Sequence, residues 1–298
     1  MDDTVKEREA AYLDACHRIG NHLLDVLDDV SRRTGAPYFL TSGTLLGCVR
    51  SEGWIPWDDD VDVIMFRDDF TRFSRAVPSL LPDDVVFSSG ATNERHITAI
   101  PRLLYRHSHR FPHGRTRADR PDDMTHVPLD IFVLDRAPRT EALRTAWRFA
   151  LYVLDRLNVA SRTSVSDVLA EPTISARRRV PELLTVLASR VSTPTRWSRL
   201  RDRTAAMWCR LSTDGPYMAT NYSTPHGRRL VIYRDWYFPG SEAVFEGRTR
   251  SVPGRTEVVL TSLYGPGYLT PPSGVDQHPA HLRNGLRAEL DGKTWDIR

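Results

Sequence analysis

Four aspartates within five residues form the part of this chain best suited to chemistry. Asp58, Asp59, Asp60 and Asp62 follow directly after a short turn. Carboxylates packed this closely repel one another strongly in a low-dielectric site unless they are solvated or share a cation. The alternation of residues 60–63 predicts a strand that carries Asp60 and Asp62 on one face. Such a pair suits Mg²⁺ or Mn²⁺, which are hard cations that prefer oxygen ligands.

A third acidic position follows later in the chain. Asp130 interrupts the otherwise apolar residues 128–134, which are typical of a strand. A charge inside such a run is costly to bury without a partner. If this strand lies beside the first acidic strand, the carboxylates form one cluster. We therefore predict that Asp60, Asp62 and Asp130 bind the metal and carry out catalysis. Asp130 either completes the metal site or accepts the proton of an acceptor hydroxyl.

The turn before the acidic run is predicted to bind phosphate. Residues 45–50 are typical of a helix, and free amide groups at a helix N-terminus attract phosphate. Gly43 and Thr44 stand at that end, where Thr44 can donate its hydroxyl to substrate, cap the helix, or do both. Arg50 is a candidate phosphate clamp, and the alternative is an ion pair with one of the loop aspartates.

Four further residues are predicted to contact substrate. Asp58 and Asp59 orient the loop or bind the metal through water, and the alternative is that they are solvated turn residues. Arg102 lies in the strand-like residues 97–105 and is a candidate phosphate ligand. His278 either contacts substrate or acts as an acid, and its alternative is a structural role.

The order of these motifs resembles the nucleotidyltransferase (polymerase-beta-like) superfamily, and within it the LicD family. That family includes bacterial phosphocholine transferases and fukutin-related phosphoribitol transferases. The resemblance covers residues 35–135 well and residues 230–281 more loosely. It rests on these residues: Gly43-Thr44-Leu45-Leu46-Gly47, Arg50, Gly53, the run from Ile55 to Asp60, Asp62, Leu129-Asp130-Ile131-Phe132, Phe245-Glu246-Gly247, Val252-Pro253, Tyr264-Gly265 and Pro271-Pro272.

The resemblance implies an α+β fold with a polymerase-beta-like nucleotidyltransferase core, in which helices flank a mixed sheet. We expect the catalytic core at residues 1–139, a helical insert at 140–215 and a C-terminal α/β segment at 216–298 that completes the catalytic domain. The family implies a metal-dependent transfer of a phosphorylated alcohol such as phosphocholine. The donor would be CDP-activated, and the acceptor would be a hydroxyl on a glycan or a small molecule.

Two other functions remain open from the sequence. A nucleotidyltransferase would use the same metal site to transfer a nucleoside monophosphate from an NTP to a small molecule. A noncatalytic nucleotide-binding protein is the second alternative. Retention of Asp60, Asp62 and Asp130 argues against it, because a protein without activity gains nothing from burying unpaired acids.

The remaining pattern predicts the elements that position these motifs. Residues 5–34 and 68–80 are predicted as helices, and residues 38–40 as a short strand. Residues 107–127 are rich in Arg, His and Pro, which is typical of a substrate lid or of a plain surface loop. Residues 140–212 are predicted to be helical. Residues 217–270 are predicted as short strands and turns.

Composition limits the partners and the location. The net charge is only +3, so no nucleic-acid partner is expected. Three cysteines without a paired spacing favour a reducing, cytoplasmic setting. The first residues lack an apolar signal segment, and no run is long enough to span a membrane. The apolar residues 147–154 leave two interpretations open, peripheral membrane contact and an ordinary core helix.

Overall fold

The computed structural model describes residues 3–111, 125–170, 175–212, 214–220, 231–271, 277–279 and 285–297. The chain divides into two compact units. The first unit comprises residues 1–88, 100–134 and 232–298, and the second comprises residues 89–99 and 135–231. The predicted segment bounds at 1–139, 140–215 and 216–298 stay predictions.

A mixed sheet forms the centre of the first unit. Its strands lie in the order β1 (Phe39–Leu40), β2 (Val61–Phe66), β6 (Val127–Arg136), β4 (Arg102–Tyr105) and β3 (Val85–Ser88). The β2–β6 pair is parallel, and the other neighbours in this order are antiparallel. Residues of β6 up to Leu134 are buried, so this strand runs through the core as its apolar sequence predicts.

Two smaller sheets complete the strands of the first unit. β5 (Ser108–Arg110), β10 (Leu286–Leu290) and β11 (Lys293–Ile297) form an antiparallel sheet in the order β11-β10-β5. β8 (Ser241–Phe245) and β9 (Arg248–Val252) form a hairpin. Glu246 and Gly247 connect this hairpin, and both have positive φ angles. β7 (Tyr217–Ala219) belongs to the second unit.

The described residues contain these α-helices: α1 (Asp3–Thr34), α2 (Ser42–Ser51), α3 (Arg67–Ala76), α4 (Glu141–Ala160), α5 (Val165–Ala170), α6 (Ala176–Ser189), α7 (Pro194–Ala205), α8 (Met207–Leu211) and α9 (Thr256–Tyr264). α1, α2, α3 and α9 belong to the first unit, and the others to the second. α1 buries the apolar face that its sequence predicts, which consists of Ile19, Leu23, Leu24, Leu27 and Val30. The first unit thus has a mixed sheet flanked by helices, as expected.

Three of the predicted elements need correction. The strand expected over 97–105 begins only at Arg102, because residues 94–100 form turns and bends. The helix expected over 68–80 ends at Ala76 and continues as a 3₁₀ turn over Val77–Ser79, where Pro78 ends the regular hydrogen bonding. α9 lies where strands and turns were predicted. Burial of Val259 and Leu260 in the core outweighs the preference of the β-branched residues of this segment for a strand.

Residues 107–127 fall only partly within the described structure. β5 and the first residue of β6 lie in this segment, so its ends are strands rather than loop. The predicted lid falls mainly on residues 112–124, which lie outside the described residues.

The second unit is helical, as residues 140–212 predict. Trp147 and Leu151 of α4 are buried against Ala205 of α7, whereas Phe149 on the same helix is 63% exposed. The helical repeat therefore distributes the apolar residues 147–154 over different faces of α4, and only some of them are part of the core. Among the described residues, no helix combines the length and the apolarity needed to cross a bilayer.

Candidate active site

The parallel pairing of β2 and β6 brings two predicted acids together. Asp62 of β2 and Asp130 of β6 are direct register partners. The expected neighbouring of the two acidic strands is thereby confirmed. Asp60 lies one residue before β2 begins, so the three acids predicted to bind metal stand at one region of the sheet.

The N-terminal end of α2 is fixed to β2 by hydrogen bonds. The amide of Asp62 donates to the Thr44 hydroxyl (2.9 Å), and the amide of Thr41 donates to the Asp62 carbonyl (3.1 Å). Thr41 is the N-cap residue of α2, so the capping role considered for Thr44 is wrong. Ser42 has a φ of +49°, a left-handed conformation that is rare outside glycine. The start of α2 is thus held in a defined position beside Asp62.

The Asp58 carboxylate occupies the space that a side chain at Gly43 would take. A Cβ atom at this position would lie 2.1 Å from Oδ2 of Asp58. The close approach places the Asp58 carboxylate against the first turn of α2, where backbone amides have no helical acceptors.

The carboxylates of the acidic run share one small volume. One oxygen from each of Asp58, Asp59 and Asp60 lies within 4.8 Å of the others. Burial and the nearby Asp60 raise the pKa of Asp58 to about 8. Burial, followed by the charges of Asp60, Asp130 and Asp58, also raises the pKa of Asp62 well above its usual range. This concentration of hard oxygen donors under mutual repulsion fits a divalent cation such as Mg²⁺.

Asp130 has a cationic partner on the neighbouring strand. Arg102 of β4 and Asp130 of β6 are register partners, and Nε of Arg102 donates to Oδ1 of Asp130 at 2.6 Å. A second bond joins Nη2 to Oδ2 at 3.0 Å. Both side chains are largely buried. This bidentate pair fixes the orientation of the Asp130 carboxylate. The predicted roles of Arg102 and Asp130 toward substrate and metal stay predictions.

A half-buried arginine lies behind the acidic run, and the sequence reasoning missed it. Nη2 of Arg110 donates to the Asp59 carbonyl at 3.2 Å. Burial alone would lower the pKa of Arg110, but the neighbouring Tyr12, Cys16 and Asp59 raise it above its usual value. Asp59 itself is almost completely buried, so it faces the interior of the protein more than its neighbours do. The alternation of side chains along β5 is the only feature of the sequence that could have indicated that Arg110 points inward.

His17 and Trp54 support the same run. The His17 ring nitrogen Nε2 lies 2.8 Å from the carbonyl of Asp58, and the ring stacks on Trp54 with centroids 4.3 Å apart. Because a carbonyl oxygen can only accept, the ring N–H donates to it, and burial lowers the pKa of His17. The Trp54 amide donates to Glu246 at 3.2 Å, which connects the acidic loop to the β8–β9 hairpin.

Two other predicted residues have partners elsewhere in the first unit. Arg50 donates from Nε to the Tyr268 carbonyl at 2.8 Å and from Nη2 to the Thr270 carbonyl at 3.2 Å. Its pairing is with backbone carbonyls and not with the loop aspartates that we had considered. Nδ1 of His278 lies 2.9 Å from Oε1 of Glu9 in α1. Their contacts with substrate stay predictions.

Comparison with known proteins agrees with this geometry. The family model described as "LicD/FKTN/FKRP, nucleotidyltransferase domain" matches residues 35–115. Lipopolysaccharide cholinephosphotransferase LicD of Haemophilus influenzae is 46% identical over 52 residues, which are 17% of this chain and 20% of that protein. An uncharacterized protein of Rickettsia typhi is 46% identical over 41 residues, which are 14% of this chain and 13% of that protein. The chain therefore matches about a fifth or less of the length of these relatives.

Proposed function

We infer that this chain, a member of the LicD family through its residues 35–115, is a transferase of phosphorus-containing groups. More specifically, we propose that it moves a phosphocholine-like group from a CDP-activated donor to a hydroxyl acceptor on a glycan or a small molecule. The cluster of the Asp58, Asp59 and Asp60 carboxylates is the observation that carries this proposal. Asp58 of this cluster lies against the start of α2, and the charges of Asp60 and Asp58 act on the neighbouring Asp62. We also propose that the mixed sheet of the first unit is a nucleotidyltransferase core.

A bound Mg²⁺ or Mn²⁺ would neutralise charge on the diphosphate and on the leaving nucleotide. Asp60 and Asp62 are the proposed main ligands, with Asp58 close enough to contribute directly or through water. Their raised pKa values fit a site that is completed by a cation, because the carboxylates repel one another without it.

The chain's own groups would orient the reactants. The N-terminal end of α2, beside which the Asp58 carboxylate lies, is suited to a phosphate oxygen of the donor. Arg102 holds the Asp130 carboxylate in one orientation. Asp130 can then accept the proton of the acceptor hydroxyl once the hydroxyl lies within hydrogen-bonding distance. The proposed cytoplasmic location is supported by the three cysteines, none of which forms a disulfide.

A thermal-shift screen separates the proposed function from its alternative. The protein is heated with CDP-choline, CDP-ribitol, CDP-glycerol, CTP, ATP, GTP or UTP, each with Mg²⁺, Mn²⁺ or EDTA. A donor at 100 times its Kd raises stability by about 2.7 kcal/mol, which a melting curve detects easily. Stabilisation by a CDP-alcohol that requires metal supports the transferase and identifies the donor. Stabilisation by an NTP alone would instead favour nucleotidyl transfer.

A further inference from the structure

The second unit exposes an apolar stripe along α6. Val180, Leu184 and Leu187 of this helix are 59–61% exposed, and Val191 just beyond its end is 80% exposed. Val180, Leu184 and Leu187 recur at intervals of four and three residues, so they lie on one face of the helix. At about 1.5 Å per residue these three side chains span about 10 Å along the helix, and Val191 follows beyond its end.

The opposite face of α6 already accounts for the packing of this helix. Val186 and Ser189 are buried, and Val186 packs with Ala160 and Val168 of the second unit. The stripe therefore contributes nothing to this core. A row of large apolar side chains exposed on the outside of a helix marks an interaction surface.

Charge is distributed very unevenly between the two units. The second unit has 18 arginines, no lysine and 9 carboxylate side chains, which gives a net charge of +9. The first unit has a net charge of −6. Arg177 and Arg178, at the start of α6, are exposed and form no ion pair within the part of the chain that the structure describes. Arginine side chains of this kind favour a negatively charged partner.

We propose that the α6 stripe and its arginines dock on the surface of a membrane that contains anionic lipids. An apolar helix face inserts into the boundary between headgroups and acyl chains, while basic residues bind anionic headgroups. A second copy of this chain is a poorer occupant, because pairing two units of charge +9 is repulsive. Nucleic acid is also disfavoured, because aliphatic side chains offer neither stacking nor phosphate contacts.

Sedimentation with vesicles tests this proposal on the full chain without any donor or acceptor. The vesicles consist of phosphatidylcholine alone or of equal parts of phosphatidylcholine and phosphatidylglycerol. We expect binding to the anionic vesicles at about 0.1 M salt and its loss at about 1 M salt, where the screening length falls to about 3 Å. Binding equally strong to both kinds of vesicle, or to neither, would overturn the proposal.

Matched variants locate the surface. Leu184→Ser/Leu187→Ser and Arg177→Gln/Arg178→Gln are each expected to weaken binding by about tenfold. Leu269→Ser, which removes an equally exposed leucine (59%) from the first unit, is expected to bind like the wild type. Circular dichroism confirms that each variant is folded. Unchanged binding of both α6 variants contradicts the proposal. So does a dimer, detected by light scattering, that the Leu184→Ser/Leu187→Ser variant dissociates.

Discussion

Two arginines balance the carboxylates of the candidate site. Arg102 holds both oxygens of Asp130, and Arg110 lies half-buried behind the backbone of Asp59. Neither is a neighbour of its partner in the sequence. Each partner relationship depends on strand pairing, since β4 lies beside β6 and β5 belongs to a second sheet. The charge balance of the site therefore could not be obtained from the acidic motif alone.

Gly43 offers a direct test of how closely the acidic run fits the helix start. In Gly43→Ala the new methyl group must displace the Asp58 carboxylate, because its ideal position lies 2.1 Å from Oδ2. We expect the affinity for Mg²⁺, measured by calorimetry, to fall about 10–100-fold, as for other changes that misplace metal ligands. Gly267→Ala is the control, because no atom lies within 4 Å of its added methyl group. Equal metal affinity in the two variants would contradict this role of Gly43.

Arg102→Lys tests whether the bidentate geometry matters beyond charge. Lysine keeps the positive charge but cannot make two parallel bonds to Asp130. We expect transfer from the donor identified by the screen to slow about 10–100-fold, with the melting temperature little changed. Arg287→Lys changes an exposed arginine that pairs with Asp296 and should leave turnover as it is. If both variants turn over at the wild-type rate, Arg102 does not position Asp130.

Among the helices and strands, the hydrogen-bonded connection between α2 and β2 is central to the site. Thr44 lies inside α2 and accepts the amide of Asp62, so the helix and the acidic strand move together. This bond was not predicted, because the local sequence favours an ordinary capping role for a threonine near a helix start.

Thr44→Val should weaken the connection between α2 and β2. The substitution keeps the shape of the side chain but leaves the Asp62 amide without its acceptor, at a cost of about 1–3 kcal/mol. For a chain of this size each kcal/mol lowers the melting temperature by ~2–4 °C. Thr44→Ser should restore most of the loss. Thr249→Val, at an exposed position of β9, serves as the control. If Thr44→Val has the same melting temperature as Thr249→Val, the hydrogen bond contributes little to the stability of the fold.

Sequence reasoning succeeded where a local pattern decides the structure. The apolar period of α1 and the buried run of β6 predicted both elements, and the two acidic strands are neighbours as expected. It failed at α9, which lies within residues 217–270, where short strands and turns were predicted. Gly20 of α1 was an unused signal, because an added Cβ would lie 2.7 Å from Trp54.

At the scale of the whole molecule, the stability of the metal-free protein should depend on pH in an unusual direction. The pKa of Asp58 is about 8 in the folded state against 3.8 normally, and that of Asp62 is also raised. The folded state therefore binds more protons than the unfolded state over this range, and stability falls as pH rises from about 4 to about 8.

This prediction is checked by melting curves in EDTA across that pH range. Asp58→Asn/Asp62→Asn should flatten the fall and melt at a higher temperature than the wild type near pH 8. Asp235→Asn, which neutralises an exposed acid of the same unit, should keep the wild-type slope. Parallel curves for all three proteins would show that these carboxylates do not destabilise the metal-free fold.

The site and most of the family match lie in the first unit, whereas the excess of arginine lies in the second. The net charge of +3 conceals this difference, because it is the sum of +9 and −6. The expectation that no nucleic-acid partner binds came from that sum. The positive charge of the helical second unit becomes apparent only when the charge of each compact unit is counted by itself.

Binding of Mn²⁺, followed by the electron paramagnetic resonance signal of the free ion, tests directly whether Asp60 and Asp62 hold a divalent cation. We expect the wild type and Asp235→Asn to remove Mn²⁺ from solution, and CDP-choline to increase the amount bound. Asp60→Asn/Asp62→Asn should lose this binding with and without CDP-choline while remaining folded. Equal Mn²⁺ binding by this variant and the wild type would contradict the assignment of the site, and so would its absence in all three proteins.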